Sequence, residues 1–589
     1  MLSEATLPSA VTAGLHPIDG LVVMLYLIGI TIMGVWMGRR LTGLDDFFMP
    51  RKFGKGMMMM HAFGTGTASD QAVTVSSATF RTGLSGIWYQ WLWLFVTPFY
   101  WLIAPIFRRF RAITTADVYE LRYDRSVAIL FAIVGIASMC IKIGLMLKGA
   151  SALVYAGTGG LIDADVAIFV LTLMFVIYGA AGGLGAAIVT DYIQGILTIV
   201  FSFMLLPFIL WEVGGMNGVR ETISNDAMLS LVAPGKISWF FIIMMSFQAL
   251  VGIVAQPFIM GVCAAGKTEW EGRVGIVGGN LIKRLCTAAW SITAIAAVAW
   301  YIQNGNAHSQ LDTESLKRTA DGIYGEVAYT FLPRLTPGLL GLFLAALLAG
   351  VMSSCDSFMI SSAALFTENI YRLLRMEVSN RHCIWVGRLA SVVVVAGGVA
   401  FAFWVPSVVK ALEIWFMIAP MMGLVFWIGL FWRRMTVAGA WATSLTGFAA
   451  WWVSTQPWFI QWLQGIPAAE SLRLLWTEGE TPVVYLPWQI LFYSSIASVV
   501  GVAVSLVTPA VDPIKLKRFY QLSRTPVQAG EKVLQPCTLP RETPPIDRRM
   551  LLTAGGLEIP VPSRTSVIGF AIAWLLVGAI IGAYVWTVS

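Results

Sequence analysis

The chain has 589 residues, and its 39 Lys and Arg exceed its 32 Asp and Glu to give a formal net charge of +7. Charged residues make up 12% of the chain, against about 25% in an ordinary soluble domain, while apolar residues reach 57%. A water-soluble globule could not bury so much apolar surface, and the same figures exclude a disordered chain, a coiled coil and a disulfide scaffold. The composition indicates a membrane protein.

Apolar runs of about 20 residues, the length that crosses a hydrocarbon core, follow one another along the chain. We predict an all-α polytopic membrane protein with roughly 14 transmembrane helices. The runs begin near Ile18, Met57, Leu84, Val127, Ala164, Ala186, Ile237, Val274, Pro337, Cys383, Ala411, Ala438, Gln489 and Ser566.

Basic residues give the expected orientation. The extra N-terminal helix, 17–40, ends in Arg39 and Arg40, and charge behind an apolar run predicts an uncleaved helix with residues 1–16 on the extracytoplasmic side. Later basic clusters, such as Arg433 with Arg434, fall on the cytoplasmic side under this span count. We therefore expect a multi-pass protein of the cell membrane, inner or plasma.

The segment between the last two predicted helices differs from the rest of the chain. Residues 511–565 are polar and rich in Pro. This composition predicts a cytoplasmic linker rather than a folded domain. A last helix is predicted over 566–589.

The second apolar run, from Phe63 to Phe80, is rich in Gly and hydroxyl residues around Gly64 and Thr67. Such stretches unwind inside membranes and leave backbone carbonyls free to face an ion. Close packing of helices through small residues gives the same pattern, and the segment alone leaves both interpretations open.

The ninth run, from Leu344 to Phe366, places three small residues on one helix face, because Gly350, Ser353 and Ser354 stand at i, i+3 and i+4. Two hydroxyls and a nearby carbonyl are hard oxygen ligands that suit Na⁺. Ser also occurs in helices bonded merely to its own backbone.

The sixth run carries a carboxylate, Asp191, in the stretch from Tyr178 to Gly195. A carboxylate at this depth is expensive and usually holds a cation or relays a proton. The alternative is a cap or ion pair near a helix end.

The remaining motifs predict neither cofactor nor enzyme chemistry. Residues 261–268 match the phosphate-loop pattern GxxxxGK[ST], but an apolar span precedes them, so we expect no nucleotide binding. The six Cys form no CxxC pair and the four His are scattered, so we predict no metal centre and no catalytic residues. Basic stretches interleaved with aromatics are absent, which argues against nucleic acid.

Four motifs stand in the order and spacing of one known family. They are Asp45-Asp46-Phe47-Phe48 followed by Arg51, the stretch Thr115 to Tyr123, the stretch Tyr178 to Gln194, and the stretch Ala345 to Tyr371. From about Leu21 to about Pro509 the chain resembles the sodium:solute symporter family, which includes sodium–galactose and sodium–proline transporters.

The resemblance implies a LeuT-like core of two five-helix repeats with opposite topology, here 55–213 and 236–432, followed by further helices over 436–510. It also implies a Na⁺ between the first and eighth core helices. Its ligands would be the carbonyls of Gly64, Thr67 and Gly350 with the hydroxyls of Ser353 and Ser354, and Asp191 would lie close by. A competing register places Ala68 and Gln71 in the first core helix positions.

For the solute, the resemblance places Asp70 and Gln71 where sugar transporters have a Glu-Gln pair, and Lys283 where they carry a substrate-side lysine. From the residues alone, Lys283 beside Arg284 is equally a snorkelling anchor at a helix end. Asp70 and Gly66 depart from the sugar pattern, and Gly66 departs from the proline pattern, so both solutes are in doubt.

We expect secondary active symport of a small organic solute with Na⁺ by alternating access, with no cofactor besides the co-transported ion. One alternative is a proton-coupled carrier using Asp191 or Asp356. The other is a membrane sensor that uses the same fold to detect a solute. The sequence does not indicate the oligomeric state.

Overall fold

The computed structural model describes residues 16–38 and 49–589, apart from 66, 68, 234, 236, 307, 309–310, 376–378, 479–480, 529, 532, 534, 541–542 and 547. It describes the backbone alone at 34–35, 37–38, 69, 178–183, 185–186, 373 and 380–381. The motif Asp45 to Phe48, the pair Arg39 and Arg40, and the predicted extracytoplasmic residues 1–15 lie outside the described residues.

Helices dominate the described chain, with two short antiparallel hairpins, 3₁₀ turns at Gly83–Ile87 and Leu332–Arg334, and a π-helical turn at Thr367–Tyr371. The hairpins are β1 (Leu475–Glu478) with β2 (Thr481–Val484), and β3 (Met550–Ala554) with β4 (Leu557–Pro560). The α-helices are α1 (Pro17–Gly38), α2 (Lys55–Gly64), α3 (Ser69–Thr82), α4 (Trp88–Phe110), α5 (Thr115–Arg122), α6 (Arg125–Gly157), α7 (Ala164–Glu212), α8 (Gly215–Thr222), α9 (Asp226–Leu229), α10 (Trp239–Ile253), α11 (Ile259–Ala264), α12 (Glu269–Gln303), α13 (Thr313–Phe331), α14 (Leu339–Phe366), α15 (Arg372–Leu374), α16 (Asn380–Trp404), α17 (Val408–Phe431), α18 (Val437–Ser454), α19 (Pro457–Gln464), α20 (Leu486–Val507), α21 (Pro513–Arg524) and α22 (Arg564–Val588).

Within the described residues, nine helical runs are long and apolar enough to cross a membrane. Three shorter apolar helices cover Pro17–Met33, Ala164–Ile177 and Trp239–Ile253. The figure of roughly 14 spans is therefore not reproduced by helix length and hydropathy alone. Breaks within predicted spans account for part of the difference, because each half is too short to cross by itself.

The clearest break separates α2 from α3. Helix α2 ends at Gly64, the Thr65 N–H closes its last turn on the His61 carbonyl at 2.7 Å, and the Thr67 N–H turns back to the Gly64 carbonyl at 3.0 Å. A second break separates α10 from α11, where Pro257 lacks the N–H that would continue the helix. Both breaks expose backbone groups inside the protein.

Helix α7 departs from the sequence prediction in the other direction. Two spans were expected, starting near Ala164 and Ala186, but the structure joins them in one helix of 49 residues. Such a helix is about 74 Å long at 1.5 Å per residue. The join contains Gly and Ala, and neither a Pro nor a charged residue ends the helix there.

Helix α14 lies at the centre of the bundle, with 89% of its most apolar window buried, whereas for α22 the buried share is 22%. Apolar residues of α14, including Val351 and Cys355, pack with Met139 of α6 and Phe175 of α7. The hydroxyl-bearing face of α14 thus lies inside the protein and away from lipid.

The C-terminal strap, which we define as residues 511–563, was expected to be a linker without structure of its own. The structure shows instead the helix α21 and the hairpin β3–β4. Phe519 and Tyr520 of α21 are buried, and Glu531 forms a bidentate ion pair with Arg111, with distances of 2.5 and 2.9 Å. Apolar residues at helical spacing and paired charges explain why this polar segment packs.

Glu558 of β4 holds the strap through two arginines. Arg524 Nη2 lies 2.5 Å from Oε2 of Glu558, and Arg433 Nε lies 2.7 Å from Oε1. Burial alone would raise the pKa of Glu558, but the hydrogen bonds from the two guanidinium groups outweigh it and hold that pKa below its usual value. The carboxylate is therefore charged near neutral pH.

Candidate functional site

The glycine-rich break meets the hydroxyl face of α14. The Ser354 hydroxyl donates a hydrogen bond to the Gly64 carbonyl at 2.8 Å, and the Thr67 N–H donates to the same oxygen at 3.0 Å. Both Thr67 and Ser354 are fully buried. The structure thus brings together the two segments that the sequence singled out.

Asp191 of α7 completes this cluster. The Ser353 hydroxyl donates to Oδ1 of Asp191, and both side chains are buried. Gly64 lies so close that an added Cβ would stand 3.2 Å from the Cβ and Cγ of Asp191. The residue at this position must therefore be small. Asp191 is no helix-end cap here, because it stands within α7.

Gly350 lies one turn before Ser353 and Ser354 on the buried length of α14. Spacing of three and four residues puts the three on one helix face.

His61 belongs to the same cluster and was missed by the sequence analysis. Its Nδ1 lies 2.6 Å from Oδ2 of Asp191, and it is 1% exposed. The Thr65 hydroxyl oxygen lies 3.2 Å from the same nitrogen. The available signal was a single His inside the apolar run 57–64, one helical turn before Gly64. We had treated the histidines as scattered.

These contacts define a set of hard oxygens around one point. The set comprises the Gly64 carbonyl, the hydroxyls of Ser353 and Ser354, and the Asp191 carboxylate. The Thr67 hydroxyl is also buried, with no hydrogen-bond partner among the described residues. Carboxylate, hydroxyl and carbonyl oxygens are ligands for hard cations and not for soft metals.

A cavity of about 60 Å³ lies beside this oxygen cluster, and Gln71 and Lys283 line it. Asp70 reaches it indirectly, since its Oδ2 accepts a hydrogen bond from Nζ of Lys142, a lining residue, at 3.0 Å. Lys142 also lies over the Trp415 ring, 4.6 Å from its centroid. The three residues proposed for the solute are thus gathered around one cavity.

Lys142 was not singled out from the sequence, although a lysine inside the apolar run that begins near Val127 is such a signal. Lys283 and Arg284 are 5% and 2% exposed. They therefore do not snorkel to the membrane surface.

Thr65 links the two sites. Its hydroxyl lies next to His61, while its carbonyl accepts a hydrogen bond from Nζ of Lys283 at 3.3 Å. Because Thr65 directly follows Gly64 at the break, a displacement of the cavity lysine acts on the backbone that carries the oxygen cluster.

Comparison with known proteins assigns the chain to a family. The Sodium:solute symporter family profile matches residues 47–447, which is more than half of the chain. The chain belongs to the sodium:solute symporter family. It is therefore a multi-pass membrane transporter of a family that couples solute uptake to sodium, and the members of that family are transporters rather than enzymes.

Similar family members carry different solutes. The chain is 26% identical over 479 residues to a sodium/glucose cotransporter of Vibrio parahaemolyticus, covering 73% of this chain and 84% of the relative. It is 24% identical over 444 residues to the osmoregulated proline transporter of Bacillus subtilis, covering 72% and 86%. Relatives at this level do not single out one solute.

The fold is similar to that of a Na⁺-coupled sialic acid symporter solved in a substrate-bound outward-open state. The TM-score is 0.69 at 18% identity, and the likeness covers 84% of this chain and 99% of that one. This symporter shares its architecture with that protein.

Proposed function

We propose that this symporter couples the inward movement of one small organic solute to Na⁺ by alternating access around the α2–α3 break. The observation that carries the proposal is the hydrogen bond from Ser354 to the Gly64 carbonyl. It joins an interrupted helix, whose backbone is free to bind an ion, to a buried hydroxyl face.

Two five-helix repeats of opposite topology, 55–213 and 236–432, form the core under this proposal. The two broken helices support it, since α2–α3 begins the first range and α10–α11 begins the second. In inverted-repeat transporters the binding site lies near the bilayer midplane, where such discontinuous helices meet. Residues 17–40, 436–510 and 566–589 supply additional membrane helices.

The proposed Na⁺ ligands are three carbonyls and two hydroxyls. The carbonyls belong to Gly64, Thr67 and Gly350, the hydroxyls belong to Ser353 and Ser354, and Asp191 supplies negative charge beside them. The contact of Ser354 with Gly64 favours this register over the one with Ala68 and Gln71. Gln71 lines the neighbouring cavity, which suits a solute contact better than an ion ligand.

The structure lets Na⁺ act as a switch on these contacts. Ser354 and Ser353 now donate to Gly64 and Asp191, and a bound cation would turn both hydroxyl oxygens toward itself. The ion then shifts the conformational equilibrium by its differential affinity for the two states. A tenfold gradient supplies about 1.4 kcal/mol and a potential of about 100 mV adds about 2.3 kcal/mol, enough for on the order of 500-fold accumulation.

The test compares two serines of the same helix. Ser354→Ala removes a proposed ligand, whereas Ser362→Ala removes an equally buried hydroxyl that donates only to the Phe358 carbonyl of its own helix. Na⁺ dependence of solute uptake is measured in proteoliposomes. We expect Ser354→Ala to weaken Na⁺ affinity by about tenfold or more, with Ser362→Ala unchanged. Equal Na⁺ affinities would remove Ser354 from the site.

The contact between His61 and Asp191, at 2.6 Å, favours one second candidate function, proton coupling. A buried His–Asp pair can take up and release a proton during the cycle. Uptake that persists without Na⁺ and follows an imposed pH gradient would support it, and uptake abolished by Na⁺ removal at every pH would exclude it.

A further inference from the structure

The wall of the cavity carries more positive than negative charge. Lys142, Lys283 and Arg284 all line it, and all three are at most 5% exposed. The carboxylate bonded to this group is that of Asp70, which accepts from Lys142. Three buried cations thus share one buried anion.

Lys283 and Arg284 have only neutral partners among the described residues. Lys283 donates to the Thr65 carbonyl at 3.3 Å. Arg284 Nη1 donates to the Gln90 carbonyl and lies 3.4 Å from the Gln90 side-chain oxygen. Arg284 Nε is buried with no hydrogen-bond partner in the described part of the chain. Donors therefore outnumber acceptors on this side of the cavity.

No other carboxylate among those described compensates these charges. Asp191 is bonded to His61 and Ser353, and it does not line the cavity. Asp356 does not line it either. Neutral amides, those of Gln71, Gln90 and Asn280, make up the other polar lining. Burying an unpaired cation costs several kcal/mol, so this arrangement calls for an anion to complete it.

We propose that the solute of this symporter is a small monocarboxylate, whose carboxylate group binds Lys283 and Arg284. This inference rests on the proposed function. A guanidinium beside an ammonium matches the two oxygens of a carboxylate with charge-assisted hydrogen bonds. Apolar lining residues, among them Trp93, Ile253 and Phe258, surround the carbon chain.

The cavity size limits the solute. At about 60 Å³, and with one water filling about 10–15 Å³ on the same measure, it holds a few non-hydrogen atoms. A chain of two to four carbons fits this limit, whereas a hexose exceeds it. The lysine contact with the Thr65 carbonyl also gives the anion a route to the oxygen cluster, since binding draws Lys283 away from the break.

The test uses propionate and propionamide, which have the same shape and differ in charge. Purified protein is held at constant NaCl, and the thermal unfolding midpoint is followed as each compound is titrated, with galactose and proline as neutral rivals. We expect propionate to stabilise the protein in the presence of Na⁺ and propionamide, galactose and proline to have no effect.

Three variants locate the charge. Lys283→Gln should weaken apparent propionate affinity by at least about 30-fold, and Lys283→Arg should retain most of it. Lys267→Gln, which removes an exposed loop lysine outside the cavity, should behave as wild type.

The outcomes separate this inference from sodium coupling, because stabilisation by Na⁺ alone is read in the same assay before any solute is added. Equal effects of acid and amide, a response to a neutral rival alone, or a response to chloride with none to propionate would each overturn the carboxylate assignment and leave Na⁺ coupling intact. Absence of any response to propionate would overturn it as well. Loss of the Na⁺ effect itself would instead contradict the proposed function.

Discussion

Replacing His61 by leucine tests whether Asp191 belongs to a cation site. The substitution removes the imidazole and keeps an apolar side chain of similar size. His61 Nδ1 lies 2.6 Å from Asp191, and the two side chains are 1% and 0% exposed. The other ring nitrogen, Nε2, has no hydrogen-bond partner among the described residues, so little else is lost.

The expected cost follows from the partner left behind. His61→Leu leaves one oxygen of a fully buried carboxylate without its donor, while Ser353 still donates to the other. Breaking a buried pair from one side costs about 3–5 kcal/mol. Asp191→Asn in the same protein makes the partner neutral, so the double variant should be less destabilised than the sum of the two single variants.

The measurement is a double-mutant cycle on the free energy of unfolding in mixed micelles, with and without Na⁺. We expect a coupling energy of about 2 kcal/mol or more without Na⁺. Na⁺ should stabilise His61→Leu more than wild type, because the ion then supplies the positive charge beside Asp191, and the gain should disappear in Asp191→Asn. Additive costs, or an equal Na⁺ gain in all four proteins, would refute the reasoning.

Two further predictions concern the C-terminal strap. Glu531→Gln removes the carboxylate that pairs with fully buried Arg111 and should lower the free energy of unfolding by about 3 kcal/mol, whereas Glu120→Gln, at an exposed pair, should cost about 0.5 kcal/mol or less; equal losses would contradict the assigned role of burial. The lowered pKa of Glu558 means that its contribution is complete above the ordinary carboxylate pKa and is lost as pH falls through the folded value, so below about pH 4.5 the hairpin should loosen. A spin label at exposed Thr553 should then gain mobility on acidification from pH 7, and unchanged mobility at low pH would count against the clamp.

Local sequence features were enough to predict several parts of the structure. The break at Gly64 follows from clustered glycines within an apolar run, and the buried hydroxyl face of α14 follows from the spacing of Ser353 and Ser354. The resemblance to a family then suggested that these segments meet, and the hydrogen bond from Ser354 to Gly64 shows that they do. That they bind Na⁺ stays a prediction.

Other parts could not be predicted because their partners are far apart in the chain. His61 and Asp191 are separated by 130 positions, and Lys142 and Asp70 by 72. Neither pattern nor propensity assigns a buried cation to one carboxylate among several. The fold of the strap likewise depends on Arg111, which is 420 positions from Glu531.

The sequence by itself determined the solvent of this protein, the places where its helices break and the residue types that face inward, since each depends on composition or on neighbours within a few turns. Only the tertiary structure decided which buried charges neutralise one another and which do not. That outcome depends on distances of a few ångströms between separate helices, because the Coulomb energy in a low-dielectric interior changes steeply over that range.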